Sequence, residues 1–173
     1  MAIISNAKNS QIVRGDNLWL FVSPSFTGEG AQEEAAAAVP VAFATNCSLN
    51  RSTQMNSISS KYHGPFSCSI PGEGSWTAST EALYAIADTR TGDAGFAQLM
   101  TCMDKNKPVK VQFGYVAGAG ENIVDTETAA NWTISDGWEG TAYINSLQAS
   151  GSHGDAATWS LELTGIGLLT AIE

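Results

Sequence analysis

Residues 159–167 read Trp-Ser-Leu-Glu-Leu-Thr-Gly-Ile-Gly, and this stretch decides the fold class. Trp159, Leu161 and Leu163 alternate with polar residues, which predicts a β-strand with one buried face and one solvated face. The Gly-x-Gly step at residues 165–167 predicts the end of that strand, followed by a short apolar tail.

Strand patterns recur along the rest of the chain, at residues 18–22, 40–49, 66–70, 74–83, 109–115 and 140–147. The first of these is apolar at every position, so both of its faces need cover. We expect that cover to come from its own domain, the alternative being another subunit. Pro71-Gly72 predicts a turn between the third and fourth runs. Together with residues 157–169, the count is about seven strands.

One helix is predicted, near residues 93–104. Phe96, Leu99, Met100 and Met103 fall on one helical stripe, and Thr91 or Asp93 is the expected cap. An apolar stripe of this kind predicts a helix that covers one face of the sheet.

The length of 173 residues and the 43% hydrophobic content predict a single domain over residues 1–173. Four polar or Gly-rich segments are expected to be a mobile N-terminal arm (1–15) and loops (25–39, 50–64 and 117–131), with a short helical turn as the alternative in the first loop. No apolar run approaches the roughly 20 residues that span a bilayer, and no secretory signal is evident, so we expect no membrane partner. The three cysteines are expected to be reduced and mostly buried.

The net charge of −9 argues against tight nucleic-acid binding, because the eight basic residues are mostly scattered and phosphate contacts need clustered cations. An acidic surface does suit one role near DNA, which is to let it pass without adhering. The alternative is that acidity only keeps the protein soluble.

Catalytic motifs are lacking. The two histidines, His63 and His153, have no ligand partners at metal-binding spacing, and no nucleophile or nucleotide-binding fingerprint is present. We therefore predict a protein that is not an enzyme and that uses neither a metal nor a cofactor.

The order of these segments resembles the major tail tube proteins of long-tailed (siphovirus-type) bacteriophages. The resemblance rests on an early apolar strand, a segment at residues 43–49, a long loop, a Pro-Gly turn before Ser75-Trp76, a helix, strands at 109–114 and 140–147, and the ending at 159–169.

The resemblance implies a β-sandwich or partly closed barrel of about seven strands flanked by one α-helix. It also implies hexameric rings that stack into a hollow conduit for genome delivery, in a virion tail assembled in the host cytoplasm. The implied partners are other copies of the chain, a tape measure protein, tail terminator or initiator proteins, and DNA in transit.

Two sets of residues are candidates for roles in such a tube. The loop at 50–64 is long enough to reach a neighbouring ring, with candidate contacts at Arg51, Lys61, Tyr62 and His63. The acidic candidates for the lumen are Glu73, Glu81, Glu121, Asp125 and Glu127.

Two alternatives remain open from the sequence. One is the tube subunit of a contractile injection system, which shares the general architecture. The other is a sugar-binding β-sandwich, for which Trp132 and Trp138 are the better stacking candidates because Trp76 and Trp159 lie in alternating strands and are expected in the core.

Overall fold

The computed structural model describes residues 15–23, 26–27, 34–35, 38–58, 68–85, 94–116 and 134–172. After a short 3-10 turn at Gly15–Asn17, these residues form nine strands and one α-helix. The elements are β1 (Leu18–Val22), β2 (Phe26–Thr27), β3 (Glu34–Ala35), β4 (Val39–Pro40), β5 (Ala44–Ile58), β6 (Cys68–Leu83), α1 (Phe96–Asp104), β7 (Val109–Val116), β8 (Ile134–Ser150) and β9 (Thr158–Ile172).

Seven of the strands form one antiparallel sheet in the order β4-β1-β7-β8-β9-β6-β5, which does not close into a barrel. The remaining two, β2 and β3, pair with each other. This confirms the predicted mainly β fold with about seven sheet strands and one helix. Within the first predicted loop, the described residues 26–27 and 34–35 are paired strands, not a helical turn.

The main core lies on one side of this sheet, which we call the core face. Leu161 and Leu163 of β9 are buried there beside Ala78 of β6 and Ala142 of β8, as the alternation at residues 159–164 predicts. The expectation that Trp76 and Trp159 belong to the core is also confirmed, since they are 4% and 3% exposed.

The sheet curls around this core and brings its two ends together. Cys47 of β5 donates a hydrogen bond from Sγ to the carbonyl oxygen of Leu18 on β1, at 3.0 Å, although β5 is the last strand of the sheet order and β1 is the second. Residues of β1 and β6 therefore share one apolar cluster.

Strand β1 is covered on both faces within the chain, as expected from its continuous apolar sequence. Leu20 and Val22 belong to the main cluster, and Phe21 packs in a second cluster with Val116. No second subunit is needed to bury these three side chains.

The helix fills the opening of the curled sheet. Leu99 and Cys102 are buried in the main cluster, and Phe96 packs edge-on against Trp159 with ring centroids 5.8 Å apart. Of the predicted stripe, Leu99 is buried and the half-buried Phe96 packs against the main cluster, whereas Met100 and Met103 are half-buried and are not part of that cluster. The predicted cap is wrong: the N-cap is Gly95, whose N–H is bonded by the Gln98 side chain at 3.2 Å.

Two predictions in the β5–β6 region are wrong. Residues 50–58 of the expected loop continue strand β5, and Pro71-Gly72 lies inside β6 instead of forming a turn. The register of β5 against β6 shifts between the pairs Thr53–Gly74 and Met55–Pro71, and this bulge accommodates a proline that has no N–H to donate.

The predicted end of the last strand is also wrong. Strand β9 continues past Gly165, which pairs with Ala142, to Ile172, and a bulge after Ile166 accommodates Gly167 with a φ of +72°. The three cysteines are thiols and not disulfides, with Cys102 buried and Cys47 and Cys68 half-buried.

Candidate assembly surface

Strands β5 and β6 extend well beyond the core as a two-stranded arm, which we define as residues 50–58 and 68–75. The two strands stay paired out to Ile58 and Cys68, and every side chain of the arm except Cys68 is exposed. Small polar side chains pair across the arm, as in the 3.0 Å contact between the hydroxyls of Ser52 and Ser75. The arm therefore holds its shape through backbone pairing and cross-strand polar contacts, not through a core.

The arm leaves the sheet at a fork between β6 and β9. These strands pair only from Thr77–Thr164 to Leu83–Thr158, so each has one unpaired edge beyond Thr77 and Thr164 in the described structure. Unpaired backbone N–H and C=O groups along such edges can accept another strand.

Trp76 occupies the fork itself. Its indole Nε1 donates to the carbonyl oxygen of Gly167 at 3.1 Å, on the unpaired edge of β9. Its ring also covers Gly165 and Gly140, where a Cβ on Gly140 would lie 2.7 Å from the ring. The two glycines make room for the indole, and the indole fixes where the strands diverge.

The side of the sheet opposite the core, which we call the open face, carries acidic groups on β6 and β9. Ser79 and Glu81 alternate with buried Ala78, Thr80 and Ala82, and Ser79 pairs with Glu162. Both carboxylates are exposed, and the register places them as diagonal neighbours on the same face.

A third carboxylate, Glu139 of β8, is held by two neighbours on β7. Gln112 Nε2 donates to Glu139 Oε2 at 3.0 Å, and Lys110 Nζ lies 3.1 Å from the same oxygen. The hydrogen bond from Gln112, followed by that from Lys110, lowers the pKa of Glu139 below its usual value. The charge of Glu139 is largely offset by Lys110, unlike those of Glu81 and Glu162.

Only some of the residues predicted to contact a neighbouring ring or to line the lumen lie in the described part of the chain. Arg51 is exposed on the arm, Glu73 is exposed at its base, and Glu81 lies on the open face. The remaining candidates lie outside the described residues: Lys61, Tyr62, His63, Glu121, Asp125 and Glu127.

Sequence reasoning missed Glu162 on the open face. The signal was present, because Glu162 occupies a polar position in the alternating stretch that identified β9.

Within the described ranges, no group of three His, Cys, Asp or Glu side chains is placed to hold a metal ion. The same residues include no helix that is long and apolar enough to cross a membrane.

The sequence matches the profile of one protein family, described as phage tail tube protein, over residues 28–171. The chain belongs to this family. It is thus a virion structural protein of the tail, in agreement with the resemblance seen in its strand order. No curated protein sequence matches it.

Solved structures share the fold at low sequence identity. The tail of an empty gene transfer agent particle, computed with C6 symmetry, matches with a TM-score of 0.63 at 18% identity, covering 94% of this chain and 100% of that one. The SPP1 tail tube matches with a TM-score of 0.59 at 15% identity, covering 92% of this chain and 78% of that one. The baseplate of the anti-feeding prophage matches with a TM-score of 0.59 at 12% identity, covering 94% of this chain and 97% of that one.

These matches bear on the two alternatives. The tail tube fold also occurs in contractile injection systems, so the fold alone does not separate the two kinds of tail, but the family assignment is to phage tail tubes. The family assignment does not favour the sugar-binding alternative. Of the two stacking candidates, Trp138 is 44% exposed on β8, and Trp132 lies outside the described residues.

Proposed function

We propose that this protein is the building block of a phage tail tube in which six copies form a ring and rings stack into a hollow conduit for the genome. The family match over residues 28–171 carries the proposal. The role is structural, without catalysis or a cofactor. A tape measure protein and terminator or initiator proteins complete the tail, which assembles in the host cytoplasm.

The unpaired strand edges at the fork suit assembly into rings. An exposed edge is a liability in a monomer because it can pair with any other strand. In a closed ring each copy contacts its two neighbours through two different surfaces, so each unpaired edge can pair with a neighbouring copy.

The arm suits contact between rings. It projects away from the core, and it carries Arg51 together with the connecting segment that contains Lys61, Tyr62 and His63. These four residues are the proposed contacts to the adjacent ring.

The open face suits the wall of the lumen. Glu81 and Glu162 present exposed carboxylates there, and like charge disfavours lingering contact with DNA phosphates. Glu73, Glu121, Asp125 and Glu127 are further candidates for the lumen. Glu139 contributes less because Lys110 lies beside it.

Electron microscopy of the purified protein over a salt series tests the proposal. Each copy brings a charge of −9, so repulsion between copies should weaken as salt screens it, and rings or hollow tubes should become more frequent. Protein that remains monomeric at every protein and salt concentration would contradict self-assembly.

A further inference from the structure

The arm carries an apolar patch whose two isoleucine side chains are exposed in the described part of the chain. Ile58 pairs with Cys68, and Asn56 pairs with Ile70, so the two isoleucines and the cysteine share one face of the arm. Ile58 is 44% exposed and Ile70 is 48% exposed, and neither belongs to a core cluster. We call these three residues, Ile58, Cys68 and Ile70, the arm patch.

A second apolar patch lies on the open face, near the bulge in β9. Thr141 pairs with Ile166 and Tyr143 pairs with Thr164, which places Tyr143 and Ile166 diagonally on one face. Leu168 follows the positive-φ Gly167 and is 72% exposed. We call Tyr143, Ile166 and Leu168 the sheet patch. Clustered exposed apolar side chains often mark contact surfaces.

The two patches lie apart from each other within one copy. From the shared pair Thr77–Thr164, Ile70 lies seven residues along β6, or about 23 Å, whereas Ile166 lies two residues along β9, or about 7 Å. Both strands run in the same direction from the fork, so Ile70 is offset along the strands by roughly 16 Å from Ile166 and by roughly 10 Å from Leu168. Any contact between them therefore joins two copies.

The charges of the two regions are complementary. Residues 50–75 contain two basic side chains, Arg51 and Lys61, and one acidic side chain, Glu73. Residues 134–173 contain no Lys or Arg and five acidic side chains, of which Glu139 is offset by Lys110 of β7: Asp136, Glu139, Asp155, Glu162 and Glu173. In a chain whose net charge is −9, the arm is thus a suitable partner for the β8–β9 region of another copy.

We infer that the arm patch of one copy packs on the sheet patch of a neighbouring copy. The inference rests on the proposed tube function, because it supplies one of the contacts by which copies associate. Each copy carries both patches, so the contact is heterologous and propagates from copy to copy. Along β9, Ile166 lies about 13 Å from Glu162, and Tyr143 lies opposite Thr164, about 7 Å from Glu162, so the contact adjoins the acidic part of the open face without including Glu162.

Cysteine cross-linking in assembled tubes tests the inference, because Cys68 already lies in the arm patch. The test variant is Leu168→Cys, and the matched control is Ser152→Cys, which is also exposed but lies in the turn between β8 and β9. Tubes of each are oxidised with copper phenanthroline and separated by non-reducing electrophoresis. A third sample combines Leu168→Cys with Cys68→Ser.

We expect Leu168→Cys to form cross-linked multimers and the other two samples to form few. A ladder that ends at six copies would place the contact within a ring, and a longer ladder would place it between rings. Tubes of normal appearance in which Leu168→Cys cross-links no better than Ser152→Cys would overturn the inference and leave the tube function intact. Failure of the unaltered protein to assemble would overturn both.

A charge substitution provides a second readout. Leu168→Asp places a carboxylate against the apolar arm patch, and we expect it to raise the protein concentration needed for assembly about ten-fold. Adding Ile70→Lys should restore much of the loss by pairing the new charges. Unchanged assembly of the single variant, with an unchanged circular dichroism spectrum, would contradict the contact.

Discussion

The indole of Trp76 lies against the backbone of Gly165 on the adjoining strand, where a Cβ on the glycine would overlap the ring. Trp76 is almost fully buried and donates its N–H to the carbonyl oxygen of Gly167. The tryptophan and the glycines therefore require each other. Together they fix the point at which the arm separates from β9, and hence the direction of the arm and of both unpaired edges.

Gly165→Ala should destabilise the protein by about 1–3 kcal/mol, because the added methyl group forces the indole or the backbone to move. Urea unfolding followed by tryptophan fluorescence measures the change. Gly74→Ala is the matched control: its Cβ would have no neighbour closer than 3.8 Å, so we expect a change within about 0.5 kcal/mol. Equal stability of the two variants would show that the indole does not depend on Gly165.

The core strands could be predicted because each has one buried face and one solvated face. That asymmetry gives the period of two in β9, where Leu161 and Leu163 are buried and Glu162 is exposed. The same asymmetry identified most of β7, with Val109 and Val111 buried. The apolar stripe identified the helix for a similar reason.

The first strand of the arm could not be predicted because both of its faces are solvated. Without a buried face there is no apolar alternation, and residues 50–58 read as a polar loop. Pro71 and Gly167 misled for a second reason: each lies at a bulge that lets the strand continue past a residue that usually ends it. The candidate assembly surface includes the arm, so most of this surface could not be predicted from the sequence.

The carboxyl group of Glu139 should titrate at a lower pH than an ordinary glutamate. Hydrogen bonds from Gln112 and Lys110 favour its charged form, which lowers its pKa. At pH values above the pKa of Glu139 in the unfolded state, the interaction stabilises the fold. This stabilisation is lost as the pH falls through the lower pKa of Glu139 in the folded state. NMR titration of the side-chain carboxyl carbon measures the pKa of Glu139.

Gln112→Leu should move the pKa of Glu139 upward, because it removes the largest of the favourable contacts. Gln148→Leu is a control, since Gln148 is an exposed residue on the same strand as Glu139 but has no part in this contact. A pKa of Glu139 that does not respond to Gln112→Leu would contradict the assignment.

The thiols of Cys47 and Cys102 should resist alkylation. Burial raises the pKa of both, with Lys105 partly offsetting the effect at Cys102, so little reactive thiolate forms near pH 8. Cys68 lies on the arm, and we expect it to react first in the free subunit. Mass spectrometry after timed iodoacetamide treatment gives the order, with urea-unfolded protein as the control. Fast labelling of Cys102 in the folded protein would contradict its burial.

The arm should gain protection when tubes form. Its amide groups are paired only between β5 and β6 and lie far from the core, so in the free subunit they should exchange faster than those of β9 near Leu161. Contact with a neighbouring copy should slow exchange at residues 50–58 and 68–75. Hydrogen exchange with mass spectrometry compares the two states, and rapid exchange that persists in assembled tubes would show that the arm makes no stable contact.

Removing acidic charge from the open face should make DNA adhere to the tube. The combined change Glu81→Gln and Glu162→Gln removes two exposed carboxylates per copy, and their effect on phosphates extends over about one Debye length, roughly 8–10 Å. We expect slower DNA release from tails that carry these subunits, with the delay largest at low salt.

The matched control for that experiment is Asp104→Asn with Asp155→Asn. It removes the same charge from exposed positions at the end of α1 and in the β8–β9 turn, away from the acidic part of the open face. If charge on the open face matters, only the glutamate pair should delay release. An equal delay in both would point to net charge alone, and no delay in either would mean that these two carboxylates do not line the path of the DNA.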